Sequence, residues 1–360
     1  AMQVFDAYGR LTEISAHYLG TTRYTYDATG HLQTLTHEGE GRNRVYSFTY
    51  DGDGNLATVS DPLSRLSAYE YDALGHPTEV ALPGTPPVSM TYDEMGNVTS
   101  VTPAGGAAHG FTYNAWNLLE TYEAPDTGDG PDITTYAYDA DGALTQVICP
   151  DGGLIALSYD AGNGGRLQSG VIPRGTIAFT YNDETGRLQS ISAPGGIVVN
   201  LTHDGPLPVQ ASWSGPVSGA VAHVYDDNLW TVQETINGAH AIDYEYDDDG
   251  MLTRAGDMLV GRSGAGFPAE TTLGNIETET SFNDFGELEA FSATHGTETL
   301  LARTYARDAL GRVTGISETI QGTAVERSYE YDSAGRLERE LLDGAVVASY
   351  AYDHNGNRTS

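Results

Sequence analysis

Tyr71-Asp72-Ala73-Leu74-Gly75 decides the reading of this chain, because the same phrase returns along its whole length. An aromatic residue is followed by Asp, two or three residues, Gly, and then often Arg, Asn or His before a Leu. Tyr26-Asp27-Ala28-Thr29-Gly30-His31-Leu32 and Tyr50-Asp51-Gly52-Asp53-Gly54-Asn55-Leu56 are two full copies. Others are Tyr92-Asp93 with Gly96, Tyr138-Asp139 with Gly142, Tyr246-Asp247 with Gly250, Tyr331-Asp332 with Gly335 and Tyr352-Asp353 with Gly356. The leading positions are Phe5, Tyr26, Tyr50, Tyr71, Tyr92, Tyr113, Tyr138, Tyr159, Tyr181, His203, Tyr225, Tyr246, Phe282, Tyr305, Tyr331 and Tyr352. From Tyr50 to Tyr113 they fall 21 residues apart, and most other gaps lie close to that. The gap of 36 between Tyr246 and Phe282 is expected to hide a degenerate copy at Arg262-Ser263-Gly264-Ala265-Gly266-Phe267. A fixed period of this length marks a repeat architecture.

The phrase reads as a turn between two strands. Tyr24-Thr25-Tyr26, Tyr69-Glu70-Tyr71 and Tyr136-Ala137-Tyr138 place two rings on one face of an extended segment. Aromatic residues suit a half-buried pleated surface. The Asp carboxylate can accept the backbone N–H two residues on, and the Gly supplies the positive φ that closes a short hairpin loop. The following Leu opens the next strand. A second turn in mid-repeat carries Pro and Gly, as in Pro150-Asp151-Gly152-Gly153 and Pro194-Gly195-Gly196. Each repeat is therefore two strands and two turns. The spacing of three in Leu32-Gln33-Thr34-Leu35 does not fit one face of a regular strand, and requires a bulge, strong twist or apolar residues on both faces.

The expected fold is all-β: tandem hairpins joined edge to edge into one continuous sheet or partial hollow shell. The unbroken beat argues for one unit of about 16–17 repeats over residues 1–360, although the length alone would suit two or three domains. The insert Ala124-Pro125-Asp126-Thr127-Gly128-Asp129-Gly130-Pro131 reads as a projecting loop, and residues 251–282 are the most irregular zone. Ala1-Met2 reads as a cloning remnant. The chain starts and stops in mid-repeat, so a segment of a longer protein is expected.

The formal charge of −33 comes from 50 acidic and 17 basic residues, and every basic residue is Arg. That argues against nucleic acid or an anionic membrane as partner, since both require clustered cations. No apolar run reaches the roughly 18 residues of a membrane-spanning helix, and no signal peptide is recognised. The single Cys149 excludes an internal disulfide framework and reads as a small buried residue. The sequons at Asn97, Asn200 and Asn357 are accounted for by the frequency of Asn in turns.

Tyr-Asp-x-x-Gly-Arg/Asn-Leu on this beat resembles the YD repeats, also called Rhs (rearrangement hotspot) repeats. Residues 159–167, Tyr331-Asp332-Ser333-Ala334-Gly335-Arg336-Leu337 and Tyr352-Asp353-His354-Asn355-Gly356-Asn357-Arg358 carry the likeness, which extends over essentially the whole chain. The resemblance implies a strip of hairpins that spirals into a hollow shell. It also implies the family's roles: bacterial Rhs proteins and the cocoon subunits of Tc toxins encapsulate a C-terminal toxin, and teneurins carry the shell on animal cell surfaces for adhesion. Neither the Rhs-associated core that self-cleaves in toxin members nor a toxin domain is recognisable within residues 1–360, so neither activity is carried over to these residues.

Acidic turns such as Asp51-Gly52-Asp53-Gly54-Asn55 faintly resemble calcium loops, but position 12 counted from Asp51 is Pro62 where an EF-hand needs Glu. The ten histidines form no ligand-spaced pair, and His31 and His76 fill the slot after the turn Gly. No nucleophile elbow, phosphate loop or HExxH is present. No catalytic residue, metal or cofactor is therefore expected. A ligand site, if built, belongs where the repeat breaks: His203, Tyr225, Trp230 and Arg262. The favoured function is a structural scaffold of a secreted or cell-surface protein that encloses or displays a C-terminal cargo, with the rest of its own polypeptide as partner. A carbohydrate-binding or polysaccharide-degrading protein, with a glycan as ligand, is the alternative, and a teneurin-like adhesion module with a cell-surface protein partner is a third.

Overall fold

A computed structural model describes residues 2–39, 41–126, 128 and 132–360. The middle of the insert expected as a projecting loop lies outside the described residues. Among the described residues the chain forms 33 strands, the shortest of four and the longest of ten residues, and one 3₁₀ turn at Ala161–Asn163. The strands gather into two compact units. One holds Ala1–Tyr92, Val101–Gly106 and Met258–Ser360; the other holds Asp93–Ser100 and Ala107–Asp257.

Within each unit the strands pair antiparallel with their neighbours in the chain. Leu66–Tyr71 pairs with Pro77–Ala81 in the first unit, and Ile133–Tyr138 pairs with Leu144–Ile148 in the second. The hairpins are therefore local, which is what a repeat of two strands and two turns demands. The all-β class and the edge-to-edge joining of hairpins are as the sequence predicts.

The register resolves the spacing of three. Tyr26 faces Leu32, Thr25 faces Thr34 and Tyr24 faces Leu35, with a shift between Thr25 and Tyr26. Gln33 is the extra residue. Both leucines thus lie opposite the two tyrosines, on the same face, although three positions separate them. The same shift precedes Tyr50, Tyr71, Tyr138, Tyr159, Tyr181, Tyr246 and Tyr331. A bulge beside the Tyr–Asp turn is part of the repeat.

The degenerate copy takes its expected place. Arg262 faces Pro268 across a bulge, the Ser263 N–H donates to the Phe267 carbonyl, and the Gly266 N–H donates to the Ser263 carbonyl. One leading position needs correction. The bulge lies between Ala306 and Arg307, and the turn runs from Asp308 to Arg312, so Arg307 leads that copy and Tyr305 is the first ring of its pair. An arginine in the aromatic slot displaced the pattern by two residues.

No apolar side chain among the described residues is fully buried; the buried charged residues are Arg44 and Glu318. The Tyr, Leu and Val rows are half-buried. In place of a deep core, the fold rests on packing between neighbouring strands within each unit.

Candidate functional site

The Tyr–Asp turn is closed by the aspartate. Asp72 Oδ1 accepts from the amides of Leu74 and His76 at 2.8 and 2.9 Å. The Asp72 N–H donates to the His76 carbonyl at 2.9 Å, and the Gly75 N–H donates to the Asp72 carbonyl at 3.0 Å. Gly75 sits at φ +84, where a Cβ would strain the backbone. The His76 amide, with the His76 ring and the Leu74 amide, holds the Asp72 carboxyl below its usual value against the penalty of desolvation. The residue after the glycine closes back on Oδ2, as Arg336 Nε does on Asp332 at 2.7 Å and Asn97 Nδ2 on Asp93 at 2.9 Å.

In most copies led by a tyrosine, that tyrosine ties its repeat to the one before. Its hydroxyl donates to the carbonyl of the residue that opens the second strand of the preceding repeat. Tyr26 reaches Leu11 at 2.7 Å, Tyr92 reaches Pro77 at 2.8 Å, Tyr138 reaches Leu119 at 2.9 Å, and Tyr352 reaches Leu337 at 2.8 Å. The ring is covered by the side chain that closed the preceding turn. Arg336 lies over Tyr352 at 4.7 Å, Arg312 over Tyr331 at 4.3 Å, and His76 stacks on Tyr92 at 4.8 Å. One repeat phrase therefore supplies a turn lock, an inter-repeat hydrogen bond and a cation–π or stacking contact.

The first unit contains a second kind of junction. Its early arm, residues 2–92 with 101–106, and its late arm, residues 258–360, meet along their turn edges. The mid-repeat turns of the early arm face the Tyr–Asp turns of the late arm. The Gly20 N–H donates to the Asp284 carbonyl at 2.6 Å, Arg42 Nη1 to the Arg307 carbonyl at 2.9 Å, and the Gly105 N–H to Asn355 Oδ1 at 2.8 Å. Glycines permit the approach. A Cβ on Gly39 would stand 2.9 Å from the Asp284 Cβ and the Phe285 ring, one on Gly84 would stand 2.5 Å from the Ala334 amide, and one on Gly264 would overlap the Tyr18 ring.

Arg44 is the pin of this seam. Its Nη1 and Nη2 meet Glu287 Oε1 and Oε2 at 2.7 and 2.8 Å, and its guanidinium carbon lies 3.8 Å from the Phe285 ring centroid. Its side chain is only 10% exposed. Asn283 Nδ2 adds a bond to Glu287 Oε2 at 3.1 Å, and Arg307 Nε stands 3.7 Å from the same oxygen. The bidentate bond to Arg44, with help from Asn283 and Arg307, holds the Glu287 carboxyl below its usual value despite desolvation. On the early arm His37 faces Arg44 directly across the strand pair, and its Nδ1 shares a 2.9 Å hydrogen bond with Thr22 Oγ1. Shallow clefts open on either side of Arg44, one lined by Thr22, His37 and Asp284, the other by Arg42, Asn283 and Arg307.

The sequence matches the family model for the teneurin YD-shell over residues 2–360. The chain belongs to the teneurin YD-shell family. No curated protein sequence matches it. Among solved structures, TcdB2-TccC3 matches this YD shell with a TM-score of 0.68 at 16% identity, over 99% of this chain and 21% of that one. TcdB2-TccC3-TEV gives 0.67 at 14% identity, and a Tc holotoxin pore from Photorhabdus luminescens gives 0.67 at 15%, with the same coverage. At such identities the likeness is one of fold. The chain spans about a fifth of the length of the chains it matches.

Of the four residues singled out for a ligand, His203, Tyr225 and Trp230 lie in adjoining repeats of the second unit, and Arg262 lies in the first. His203 pairs with Pro208, and the ladder continues to Asp204 and Leu207, so this copy closes with a two-residue turn and Asp204 stays in the strand. The Tyr225 hydroxyl donates to the Pro208 carbonyl at 2.9 Å, as most leading tyrosines do to the preceding repeat. The next glycine position is Leu229 at φ +66, a conformation that costs a branched residue about 1–2 kcal/mol. Trp230 takes the slot after the turn and lies on Tyr246 at 5.4 Å. Arg262 Nη1 donates to the Gly266 carbonyl at 3.0 Å within its own turn. Each thus has a place in the YD repeat. Arg44 and Glu287 were not singled out from the sequence. The available signal was Gly20 and Gly39, which neither open nor close a Tyr–Asp turn.

Proposed function

We propose that this chain is wall in the shell of a larger secreted or cell-surface protein, and that the wall encloses or displays a polypeptide carried by the same protein. The observation that carries the reading is the use made of the repeat residues. The aspartates close turns, the tyrosine hydroxyls tie successive repeats, and the arginines cover rings or pin the seam. Side chains invested in this way maintain a surface of fixed form. The fold shared with TcdB2-TccC3 over nearly the whole chain supports a shell of the toxin-carrying kind. The cargo would be held by exclusion of proteases and solvent, with no bond made or broken by these residues.

The test is protease protection in the full-length protein. A segment downstream of Ser360 is expected to survive digestion that destroys the same segment expressed alone. Equal rates of cleavage in the two settings would refute enclosure, and would leave display on an outer surface to be tested by antibody access to that segment.

A further inference from the structure

We propose that the seam between the two arms of the first unit is an acid-sensitive latch, in which protonation of His37 places a second cation across the ladder from Arg44 and loosens its hold on Glu287.

The geometry is specific to this point of the seam. His37 and Arg44 are direct partners in the antiparallel pair of Leu32–Gly39 with Arg42–Tyr50. Side chains opposite one another in such a pair sit close together, and like charges there are destabilising. Arg44 cannot readily turn away, because Glu287 grips both terminal nitrogens and Phe285 covers its plane. The other charged groups around the latch offer His37 little compensation. Glu38 on its own strand is bonded to Arg23. Glu287 is taken by Arg44, and Arg307 stands beside that carboxylate. Asp308 and Tyr46 act on Arg44. Asp284 lines the cleft and receives the Gly20 amide on its carbonyl. From the third strand comes Thr22, which is uncharged and shares a hydrogen bond with the ring.

Burial, and after it the Arg44 charge, holds the His37 ring below the usual imidazole range. The sign follows. At neutral pH His37 is uncharged and the seam is intact. As pH falls below about 6.5, an open seam takes up the proton before the closed one does. Opening therefore becomes easier, by up to about tenfold for each pH unit, until pH reaches the depressed value of the closed state. Glu287 is held low by Arg44 and stays ionised through this window, so its own protonation is a separate, more acidic event.

Hydrogen exchange on the whole chain, corrected for intrinsic rates, reads the latch. Between pH 7.5 and 5, peptides covering residues 16–22, 37–44 and 283–288 are expected to gain exchange, up to about tenfold per pH unit, while peptides in the hairpin Ile133–Tyr138 with Leu144–Ile148 do not. His37→Gln, which keeps a partner for Thr22, is expected to retain protection at pH 7.5 and to lose the acid step. Arg44→Ala is expected to open the seam at both pH values. An unchanged acid step in His37→Gln, or none in the native chain, overturns the proposal. Should that variant fail to fold, NMR titration of the native His37 ring decides: a midpoint that coincides with seam opening supports the latch, and one at or above the free imidazole value refutes it.

Discussion

The leading tyrosine acts through its last atom. In Tyr92 the ring stacks on His76 and the hydroxyl donates to the Pro77 carbonyl at 2.8 Å. Tyr92→Phe keeps the ring and removes only the tie, so it should lower stability by about 1 kcal/mol, read as a shift of the urea midpoint at constant slope. The aspartate has a different signature. The carboxyls of Asp72, Asp51, Asp93 and Asp353 are all held below their usual value, chiefly by hydrogen bonds from the residue four positions on. A depressed carboxyl contributes stability that is complete above the usual carboxylate value and is lost as pH falls through the folded value. The chain should therefore lose stability steeply below about pH 4. Asp72→Asn retains the Oδ1 acceptor, as Asn114 does for Trp116 and Leu118. It should melt somewhat below the native chain at pH 7, where the carboxylate's contribution is missing, and show a smaller drop at pH 3, whereas Asp72→Ala should melt lower still at both.

At the scale of strand and turn, much was legible in advance. Alternating tyrosines announced strands, and Asp followed by Gly announced the turns, because both signals are local. The bulge was not, because the spacing of Leu32 and Leu35 is compatible with more than one strand geometry until the partner strand is known; only the register against Tyr24 and Tyr26 selects one. The Tyr305 lead failed for a related reason: Arg307 takes the aromatic residue's place in the ladder without resembling it. His203, Tyr225 and Trp230 were visible as breaks in the pattern, and the structure gives each a position in the repeat. Glycines divide by purpose at this scale. Gly39 has no turn to close and serves only to admit Phe285 and Asp284. Gly39→Ala should cost about 1–3 kcal/mol through overpacking and raise hydrogen exchange in residues 283–287, with the hairpins of the second unit unaffected.

At the scale of the molecule, the seam was illegible because its partners lie 243 residues apart in the chain. Arg44 is one of 17 arginines, and nothing local distinguishes it. Its replacement by lysine would preserve the charge but lose the forked grip on Glu287 and the cover over Phe285. Arg44→Lys should lower stability by about 2 kcal/mol, and because the pair is well shielded, raising salt from 0.05 to about 0.5 M should change that difference little. Surface pairs such as Arg254 with Glu245 should show the opposite, a small contribution that salt abolishes.

The ties between tyrosine hydroxyls and carbonyls all run in one direction, each fastening its repeat to the predecessor. Under tension applied at Ser360, this asymmetry makes the last repeat the first to yield, releasing about 21 residues, or roughly 70 Å of slack, at a stroke. The load would then pass to the next repeat, and a force trace would show a sawtooth with that period. The tooth at which Glu287 lets go of Arg44 should stand above the rest, because there the ribbon must break a shielded, forked ion pair to its own distant edge as well as part from its neighbour.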